Sequence, residues 1–361
     1  MKVAIIGGGF SGLCCAHELE RLGVAPVIYE RKNFIGEPFN HVTAILNVSH
    51  KPIKDSIEYF KNELNIPVRP LGVVSNVMHH APNVTTSIKG KLGYFLENTA
   101  EPNSTKLQIL DMLKKTEIRF NENGDYRKLS QEYDYVVVAA GNYLVPNELG
   151  LWQEWFRGYV RGALVHGSFD PGTLVMWLNK DYLKNGYAYL TPFNDKKAAL
   201  IIIVSDVNER EVDHYWELFL YTENIRYTIV EEFKLEHRAG YVYPFNLDNV
   251  YFIGNAAGVL DPFLGFGHVN AAITAASAAR SIAGGIDYAG QLKSLIKRNL
   301  AMRQFRSMID NMTNRDFDRL VAAIGMPGIK QLLYSLPVNM DAAVIGAFLS
   351  KLILKKEKLG R

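Results

Sequence analysis

Three glycines near the start of the chain have the spacing that binding of a dinucleotide requires. Residues 3–12 read Val-Ala-Ile-Ile-Gly-Gly-Gly-Phe-Ser-Gly. Gly7 permits a tight turn, Gly9 lets the backbone approach a pyrophosphate, and Gly12 lets a helix pack closely on a sheet. Glu30 ends the next apolar run, where its carboxylate would accept hydrogen bonds from an adenosine ribose. We therefore expect redox chemistry with a bound dinucleotide.

The elements that position these glycines follow from the surrounding hydrophobic pattern. A strand over residues 3–6, a helix over 11–22 and a second strand over 26–30 form one continuous unit. The N-terminus of such a helix presents unpaired N–H groups and the positive end of its dipole to phosphates. The pattern favours a Rossmann-like nucleotide-binding unit over a glycine-rich turn without a ligand.

A second glycine-rich segment lies far along the chain. Residues 254–269 read Gly-Asn-Ala-Ala-Gly-Val-Leu-Asp-Pro-Phe-Leu-Gly-Phe-Gly-His-Val. They follow a predicted strand and precede a predicted helix over 268–282. Small residues allow close approach to a planar ligand, and a helix N-terminus stabilises the N1/O2 edge of a reduced flavin. This segment therefore indicates FAD rather than NAD.

The sequence between the two glycine-rich segments changes character. Residues 135–141 predict a buried parallel strand, whereas residues 161–230 are typical of strands and turns with one helix. We expect an α/β protein whose Rossmann-like FAD-binding domain is split in sequence, with an inserted, mainly β substrate domain and a helical C-terminal region. The predicted boundaries are 1–45, 100–150 and 240–290 for the FAD-binding domain, 46–99 and 151–239 for the substrate domain, and 291–361 for the C-terminal region.

The chain resembles flavoproteins of the p-hydroxybenzoate hydroxylase fold, and among them the geranylgeranyl reductase family. The resemblance spans most of residues 1–285 and is carried by the first glycine-rich segment, the strand ending in Ala140-Gly141 and the block from Gly254 to Val269. Residues 187–192 partly match a Tyr-x-Trp-x-Phe-Pro stretch on that family's substrate sheet. The resemblance implies an FAD-dependent oxidoreductase that reduces or dehydrogenates a small apolar or aromatic substrate.

The resemblance also assigns roles to individual residues. The three spaced glycines and Ser11 would hold the pyrophosphate, Glu30 the adenosine ribose, and position 255 would face the ribityl or pyrophosphate portion. Tyr187, Tyr189 and Pro192 would border the substrate. The expected cofactor-binding residues are Gly7, Gly9, Phe10, Ser11, Gly12, Glu30, Arg31, Ala140, Gly141, Gly254, Asn255, Asp261, Gly265, Phe266, Gly267, His268 and Val269.

Several positions depart from the family pattern. Asn255 replaces the usual Asp, although an amide still hydrogen-bonds a hydroxyl group. Ala140-Gly141 stands where hydroxylases carry Asp-Gly, and this weakens the case for an NADPH-driven aromatic hydroxylase. Residues 39–41 stand where reductases often carry a cysteine. The arginine usually found at the start of the helix near residue 104 has no clear counterpart.

The catalytic side chains are not identified by the sequence. His268, beside the expected flavin, and His41, in the loop after the second strand, are the candidates for proton transfer. No metal is expected, because the neighbours His79 and His80 face opposite sides of a strand. The alternatives are a flavin-dependent aromatic monooxygenase, a non-redox FAD protein, and a degenerate FAD-binding protein without catalysis.

The remaining features concern partners and location. A net charge of +3 does not favour nucleic acid as a partner. Cys14 and Cys15 are adjacent and form no disulfide framework, so we expect a cytoplasmic protein. A C-terminal helix after Asp341, ending in a lysine cluster over residues 351–358, is expected to pack, or alternatively to contact an anionic membrane surface. The external electron donor or acceptor is not predicted.

Overall fold

The structure is a computed structural model that describes residues 1–37, 39–50, 52–262, 264–265 and 267–326. In this part of the chain the strands form a six-stranded and an eight-stranded sheet. The strands are β1 (Val3–Ile6), β2 (Val27–Glu30), β3 (His41–Leu46), β4 (Gly72–His80), β5 (Thr85–Asn98), β6 (Glu117–Phe120), β7 (Tyr135–Val138), β8 (Trp152–His166), β9 (Thr173–Trp177), β10 (Tyr187–Pro192), β11 (Lys197–Ser205), β12 (Thr228–Val242), β13 (Asn246–Leu247) and β14 (Val250–Phe252).

The helices connect and cover these sheets. Within the described ranges, short 3-10 helices lie at Asn47–His50, Glu209–Glu211 and Gly254–Ala257. The α-helices are α1 (Phe10–Arg21), α2 (Ser56–Glu63), α3 (Thr105–Leu110), α4 (Tyr126–Glu132), α5 (Leu144–Glu148), α6 (Lys180–Leu183), α7 (Val212–Thr222), α8 (His268–Gly284), α9 (Tyr288–Gln291), α10 (Lys293–Asp310) and α11 (Asn314–Ile324).

The six-stranded sheet has the order β13-β14-β7-β1-β2-β6, and its pairs are parallel except for β13 with β14. Its central strands are short apolar runs that are buried on both faces, as parallel strands covered by helices are. Strands from three distant parts of the chain contribute to it. The predicted Rossmann-like fold, split in sequence, is confirmed.

The eight-stranded sheet has the order β12-β8-β11-β10-β9-β4-β5-β3 and is mainly antiparallel. β3 belongs to it, so residues 41–45 lie in the larger sheet, although the predicted boundary placed them in the FAD-binding domain. The reason is packing, because Val42, Ala44 and Leu46 point into the core beneath the larger sheet. Conversely, α2 and the segment after it bury Phe60 and Ile66 in the core of the smaller sheet.

The C-terminal helices pack on the larger sheet. Ile309, Met312, Phe317 and Leu320 form a small apolar cluster there. The expected helical character beyond residue 291 is seen in α10 and α11. The segment after Asp341 and the lysine cluster over 351–358 lie outside the described residues. Among the helices that are described, none combines the length and the apolar character needed to cross a bilayer.

Candidate functional site

A cavity of about 670 Å³ lies between the two sheets. Its walls come from the first glycine turn, the end of β7, the loop before α8 and one face of the larger sheet. Of the residues predicted from the sequence to contact a ligand or to transfer a proton, those that line it are Gly7, Gly9, Phe10, Ser11, Glu30, Arg31, His41, Ala140, Gly141, Tyr187, Tyr189, Gly254, Asn255, Gly265, Gly267 and His268. The fold therefore brings most of the predicted residues to one place.

The glycine turn forms one end of the cavity. Gly7 has a φ of +107°, and Gly9 is the N-cap of α1 without any side-chain cap. A Cβ atom on Gly9 would meet nothing within 4 Å, whereas one on Gly12 would lie 2.0 Å from the carbonyl oxygen of Gly7. Gly9 thus leaves open space in front of the helix N-terminus. Gly12 does not line the cavity and serves the close packing of helix on strand.

The carboxylate of Glu30 accepts a hydrogen bond from the backbone of the glycine turn. Its Oε2 accepts a hydrogen bond from the N–H of Gly8 (2.8 Å), and its Oε1 accepts one from the N–H of Lys32 (2.9 Å). Glu30 is buried but still lines the cavity. These two bonds fix the carboxylate at the end of β2, where the sequence predicts a ribose contact.

The two glycine-rich segments meet at Ser11 and Gly254. A Cβ atom on Gly254 would lie 2.6 Å from Oγ of Ser11, and Gly254 has a φ of +58°. Next to it, Asn255 is exposed to the cavity and its Nδ2 donates to the carbonyl oxygen of Gly141 (3.4 Å). Asn255 therefore borders the middle of the cavity, between the glycine turn and the loop before α8.

The loop before α8 forms the far side of this middle region. Asp261 organises it, since its carboxylate accepts the N–H of Leu264 (2.7 Å) and its carbonyl accepts the N–H of Gly265 (2.9 Å). Asp261 itself and Val269 are buried in the structure and do not line the cavity. Phe266 lies outside the described residues. Asp261 therefore contributes to the shape of the loop rather than to the wall of the cavity.

His268 begins α8 and has a defined tautomer. Nδ2 of Asn98 donates to the carbonyl oxygen of Leu96 (3.3 Å) and to Oγ1 of Thr43 (2.9 Å). Because a carbonyl oxygen only accepts, Oδ1 of Asn98 must face Nε2 of His268 at 3.3 Å, and this nitrogen carries the hydrogen. Desolvation, followed by the nearby charges of His41 and Lys106, lowers the pKa of His268 to about 4. The ring is therefore neutral at pH 7.

An ion pair in the cavity wall was not predicted from the sequence. Lys106 on α3 pairs with the carboxylate of Glu37 in the loop after β2, and both residues line the cavity. Burial opposes ionisation of Glu37, but the charge and hydrogen bond of Lys106 outweigh it and lower the pKa of that carboxyl group. The sequence signal was a lysine at the start of α3. Lys106 therefore places a buried cation in the cavity wall.

The larger sheet presents an apolar wall at the other end of the cavity. Tyr187 and Tyr189 lie on it with ring centroids 5.8 Å apart, and the hydroxyl group of Tyr187 donates to the carbonyl of Leu264. Pro192, at the end of β10, does not line the cavity. The described lining residues on strands β8 to β12 are Val160, Leu174, Met176, Tyr187, Tyr189, Ile201, Ile203, Phe233, Leu235 and His237.

Three of these wall residues lie on β12 and were missed by the sequence analysis. Phe233, Leu235 and His237 alternate along the strand, so they face the same side of the sheet. Phe233 stacks on Phe39 at 4.2 Å between ring centroids. Their alternation with Lys234 and Glu236 was the available sequence signal.

The arrangement is that of an elongated binding site with three chemically different parts. The glycine turn suits a pyrophosphate, the middle carries hydrogen-bonding groups and a buried cation, and the sheet wall suits an apolar molecule. Within the described ranges there is no group of three or more His, Cys, Asp or Glu residues able to hold a metal ion.

Known proteins share this fold. A sequence model described as NAD(P)-binding Rossmann-like domain matches residues 5–41. A geranylgeranyl bacteriochlorophyll reductase-like protein from Thermoplasma acidophilum is similar, with 15% identity, a TM-score of 0.75, and coverage of 99% of this chain and 98% of that chain. The p-nitrophenol 4-monooxygenase from Pseudomonas putida DLL-E4 has 16% identity, a TM-score of 0.60, and coverage of 99% and 97%.

A halogenase solved in complex with FAD is also similar, with 12% identity, a TM-score of 0.65, and coverage of 100% of this chain and 84% of that chain. The chain thus has the fold of flavoprotein reductases, halogenases and monooxygenases. The predicted resemblance to flavoproteins of the p-hydroxybenzoate hydroxylase fold is confirmed at the level of the fold.

Proposed function

We propose that the protein is an FAD-dependent oxidoreductase that acts on a small apolar or aromatic substrate. The observation that carries this proposal is that one continuous cavity joins the glycine turn to the apolar wall of the larger sheet. In this proposal the six-stranded sheet with α1 and α8 forms the FAD-binding unit. The eight-stranded sheet forms the substrate unit.

The residues present fit an FAD molecule along the cavity. The open space in front of Gly9 and the uncapped start of α1 suit the pyrophosphate, and Glu30 stands at the end of β2 for the adenosine ribose. Asn255 and Lys106 border the middle, where hydroxyl groups and phosphate oxygens would need a donor and a cation. The loop from Gly265 to Gly267 would face the isoalloxazine ring.

The remaining residues would orient the substrate and exclude water. A bound flavin supplies hydride transfer to or from the substrate. The wall of aliphatic and aromatic side chains on β8 to β12 would hold an apolar molecule beside the loop before α8. His268, which is neutral at pH 7, would hydrogen-bond rather than add charge next to the reactive ring.

Among reactions of this kind we favour reduction or dehydrogenation, as in a geranylgeranyl reductase-like protein. Two features support this choice: Ala140-Gly141 stands where hydroxylases carry Asp-Gly, and the substrate wall is predominantly apolar. A flavin-dependent aromatic monooxygenase, and a non-redox or degenerate FAD-binding protein, are outcomes that the following experiment separates.

The test is the absorption spectrum of the purified protein, followed without oxygen while NADH, NADPH and then dithionite are added. We expect the purified protein to contain bound flavin. Dithionite should reduce this flavin fully, and either NADH or NADPH should reduce it more slowly than dithionite does. Rapid reduction by NADPH alone, with oxygen uptake after air is admitted, would indicate a monooxygenase. Flavin that dithionite reduces but that neither NADH nor NADPH reduces would indicate a non-redox or degenerate role. Protein that neither contains nor takes up FAD would refute the proposal.

We also propose a cytoplasmic location with peripheral membrane contact through the C-terminal lysine cluster over residues 351–358. The proposal rests on apolar residues next to lysines in the sequence. Flotation with vesicles of phosphatidylcholine containing phosphatidylserine tests it. We expect co-flotation that is lost with pure phosphatidylcholine and on replacement of Lys351, Lys355, Lys356 and Lys358 by glutamine. Protein that stays at the bottom with both vesicles refutes membrane contact.

A further inference from the structure

The apolar wall contains few groups that can hydrogen-bond a substrate. Among the described lining residues on β8 to β12, those with side-chain nitrogen or oxygen atoms are Tyr187, Tyr189 and His237. The hydroxyl group of Tyr187 donates to the carbonyl of Leu264. In ligand sites of this type a small number of polar groups sets the orientation of a mostly apolar ligand. Tyr189 and His237 are therefore the two groups to compare as hydrogen-bond partners of a substrate on this wall.

His237 lies where the wall meets the loop before α8. A Cβ atom on Gly265 would stand 3.0 Å from Nε2 of His237, so the backbone of this loop and the imidazole are in close contact. Gly265 has a φ of +66°, which also disfavours a side chain there. The imidazole also lies against Phe156 on β8, with ring centroids 5.7 Å apart and ring planes inclined by 67°. His237 is thus held between the sheet and the loop.

The charge state of His237 restricts the group that it can recognise. Desolvation, with a further contribution from the positive charge of Arg306, lowers its pKa to about 4. Arg306 is itself buried and lies over the ring of Phe156, 4.4 Å from its centroid. The imidazole is therefore neutral at pH 7, with one N–H donor and one acceptor nitrogen. Such a ring can form a hydrogen bond with an uncharged carbonyl or hydroxyl group.

We propose that His237 hydrogen-bonds a single carbonyl or hydroxyl group of an otherwise apolar substrate and so positions that end of the substrate against Gly265 in the loop before α8. This rests on the proposed function, because it assumes that the substrate occupies the sheet wall and that the flavin faces this loop. It narrows the substrate class to uncharged ketones, aldehydes or alcohols with an apolar body. His237 then decides which substrate atom reaches the flavin.

The experiment uses two probes of nearly equal shape, 2-acetylnaphthalene and 2-isopropenylnaphthalene, which differ by a carbonyl oxygen in place of a methylene group. Their dissociation constants are measured on the FAD-loaded protein from the perturbation of the flavin absorption band. The quantity of interest is the affinity of the ketone relative to that of the alkene. We expect H237L to lower this ratio about fivefold to tenfold, as expected for the loss of one buried hydrogen bond. The affinity for the alkene should stay unchanged.

Two further variants make the result decisive. H237Q keeps an N–H donor, so its preference for the ketone over the alkene should stay close to that of the wild type. This variant also provides a test if H237L folds poorly. Y189F removes the other polar group and should leave the ratio unchanged. The proposal is overturned if H237L keeps the wild-type preference for the ketone, or if only Y189F loses that preference. It is also overturned if the wild-type protein binds neither probe. FAD content is measured first, so failure of cofactor binding is recognised separately.

Discussion

The hydroxyl group of Tyr187, on the larger sheet, donates a hydrogen bond to the main-chain carbonyl of Leu264, in the loop that precedes α8. This bond ties the substrate wall to the segment that we expect to face the flavin. Burial raises the pKa of Tyr187, so the phenol stays protonated and remains a donor. This hydrogen bond therefore helps to fix the relative position of sheet and loop.

Replacing Tyr187 by phenylalanine should loosen this connection. The carbonyl of Leu264 would lose its donor, and we expect a loss of about 1 kcal/mol in the free energy of unfolding. The affinity for FAD should fall at the same time, because the loop loses its support. Thermal denaturation and fluorescence titration with FAD measure the two effects. Y243F is the matched control, since Tyr243 is 64% exposed and should change neither quantity. Equal behaviour of Y187F and Y243F would contradict the assigned role.

Gly9 and Gly12 should respond differently to the same added methyl group. In G12A the new Cβ would lie 2.0 Å from the carbonyl oxygen of Gly7, so α1 must shift, at a cost of about 1–3 kcal/mol or more. In G9A the Cβ meets no protein atom within 4 Å, so stability should stay within about 0.5 kcal/mol of wild type while the affinity for FAD falls. Urea denaturation and FAD titration measure the two properties.

G284A is a suitable control for the two glycine variants. Gly284 is the last residue of α8, and the nearest atom to an added Cβ is 3.9 Å away. We expect no loss of stability and no change in FAD affinity. If G9A binds FAD as tightly as G284A does, the pyrophosphate does not lie at this turn.

Breaking the pair between Lys106 and Glu37 should cost more than removing both charges. In K106M the carboxylate of Glu37 keeps its burial but loses its partner, and we expect a loss of about 1–2 kcal/mol, since roughly a quarter of the Glu37 side chain is exposed. The double variant K106M/E37Q should recover part of this loss. Denaturant unfolding of the wild type, both single variants and the double variant gives the coupling energy. A coupling energy of zero would mean that the pair does not stabilise the fold.

The pH dependence of this pair has a definite sign. The folded-state pKa of Glu37 is lowered, so its stabilisation is complete above the ordinary glutamate pKa of about 4.3 and is lost as the pH falls through the lower folded value. The difference in unfolding free energy between wild type and K106M should therefore shrink in acid. If this difference in unfolding free energy stays constant from pH 7 to pH 3, the assigned role of the ion pair is contradicted.

His79 should make the protein less stable in mild acid. Burial, and secondarily the charge of His80, lower the pKa of His79 to about 4, and its Nδ1 lacks a hydrogen-bond partner. The unfolded chain takes up a proton near pH 6.5, so between pH 6.5 and 4 this group alone removes about 1.4 kcal/mol per pH unit. In H79L the unfolding free energy should lose this part of its dependence on pH. In H166Q, where the replaced residue is exposed, the dependence on pH should stay as in the wild type. Urea denaturation at pH 4.5, 5.5, 6.5 and 7.5 gives the slopes, and an unchanged slope in H79L would refute the assignment.

The sequence by itself determined the part of the site that is local in the chain. The turn at Gly7 and Gly9, the packing of Gly12 and the position of Glu30 all arise within one strand–turn–helix–strand unit. Gly12 packs on Gly7 and Glu30 bonds to Gly8 within this one unit, so residue type and spacing were sufficient to predict them. The same holds for the segment that contains Gly254 and His268, because it connects β14 directly to α8 along the chain.

The tertiary structure alone decided which distant side chains meet at the cavity. Lys106 meets Glu37 across 69 positions of sequence, and His237 meets Gly265 because the fold brings β12 against the loop before α8. β3 joined the larger sheet because its alternating apolar residues complete the core there, which a boundary drawn from local pattern could not show. Burial lowers the pKa values of His237 and His268 and so keeps both rings neutral at pH 7. The burial of a side chain depends on the packing of the whole fold.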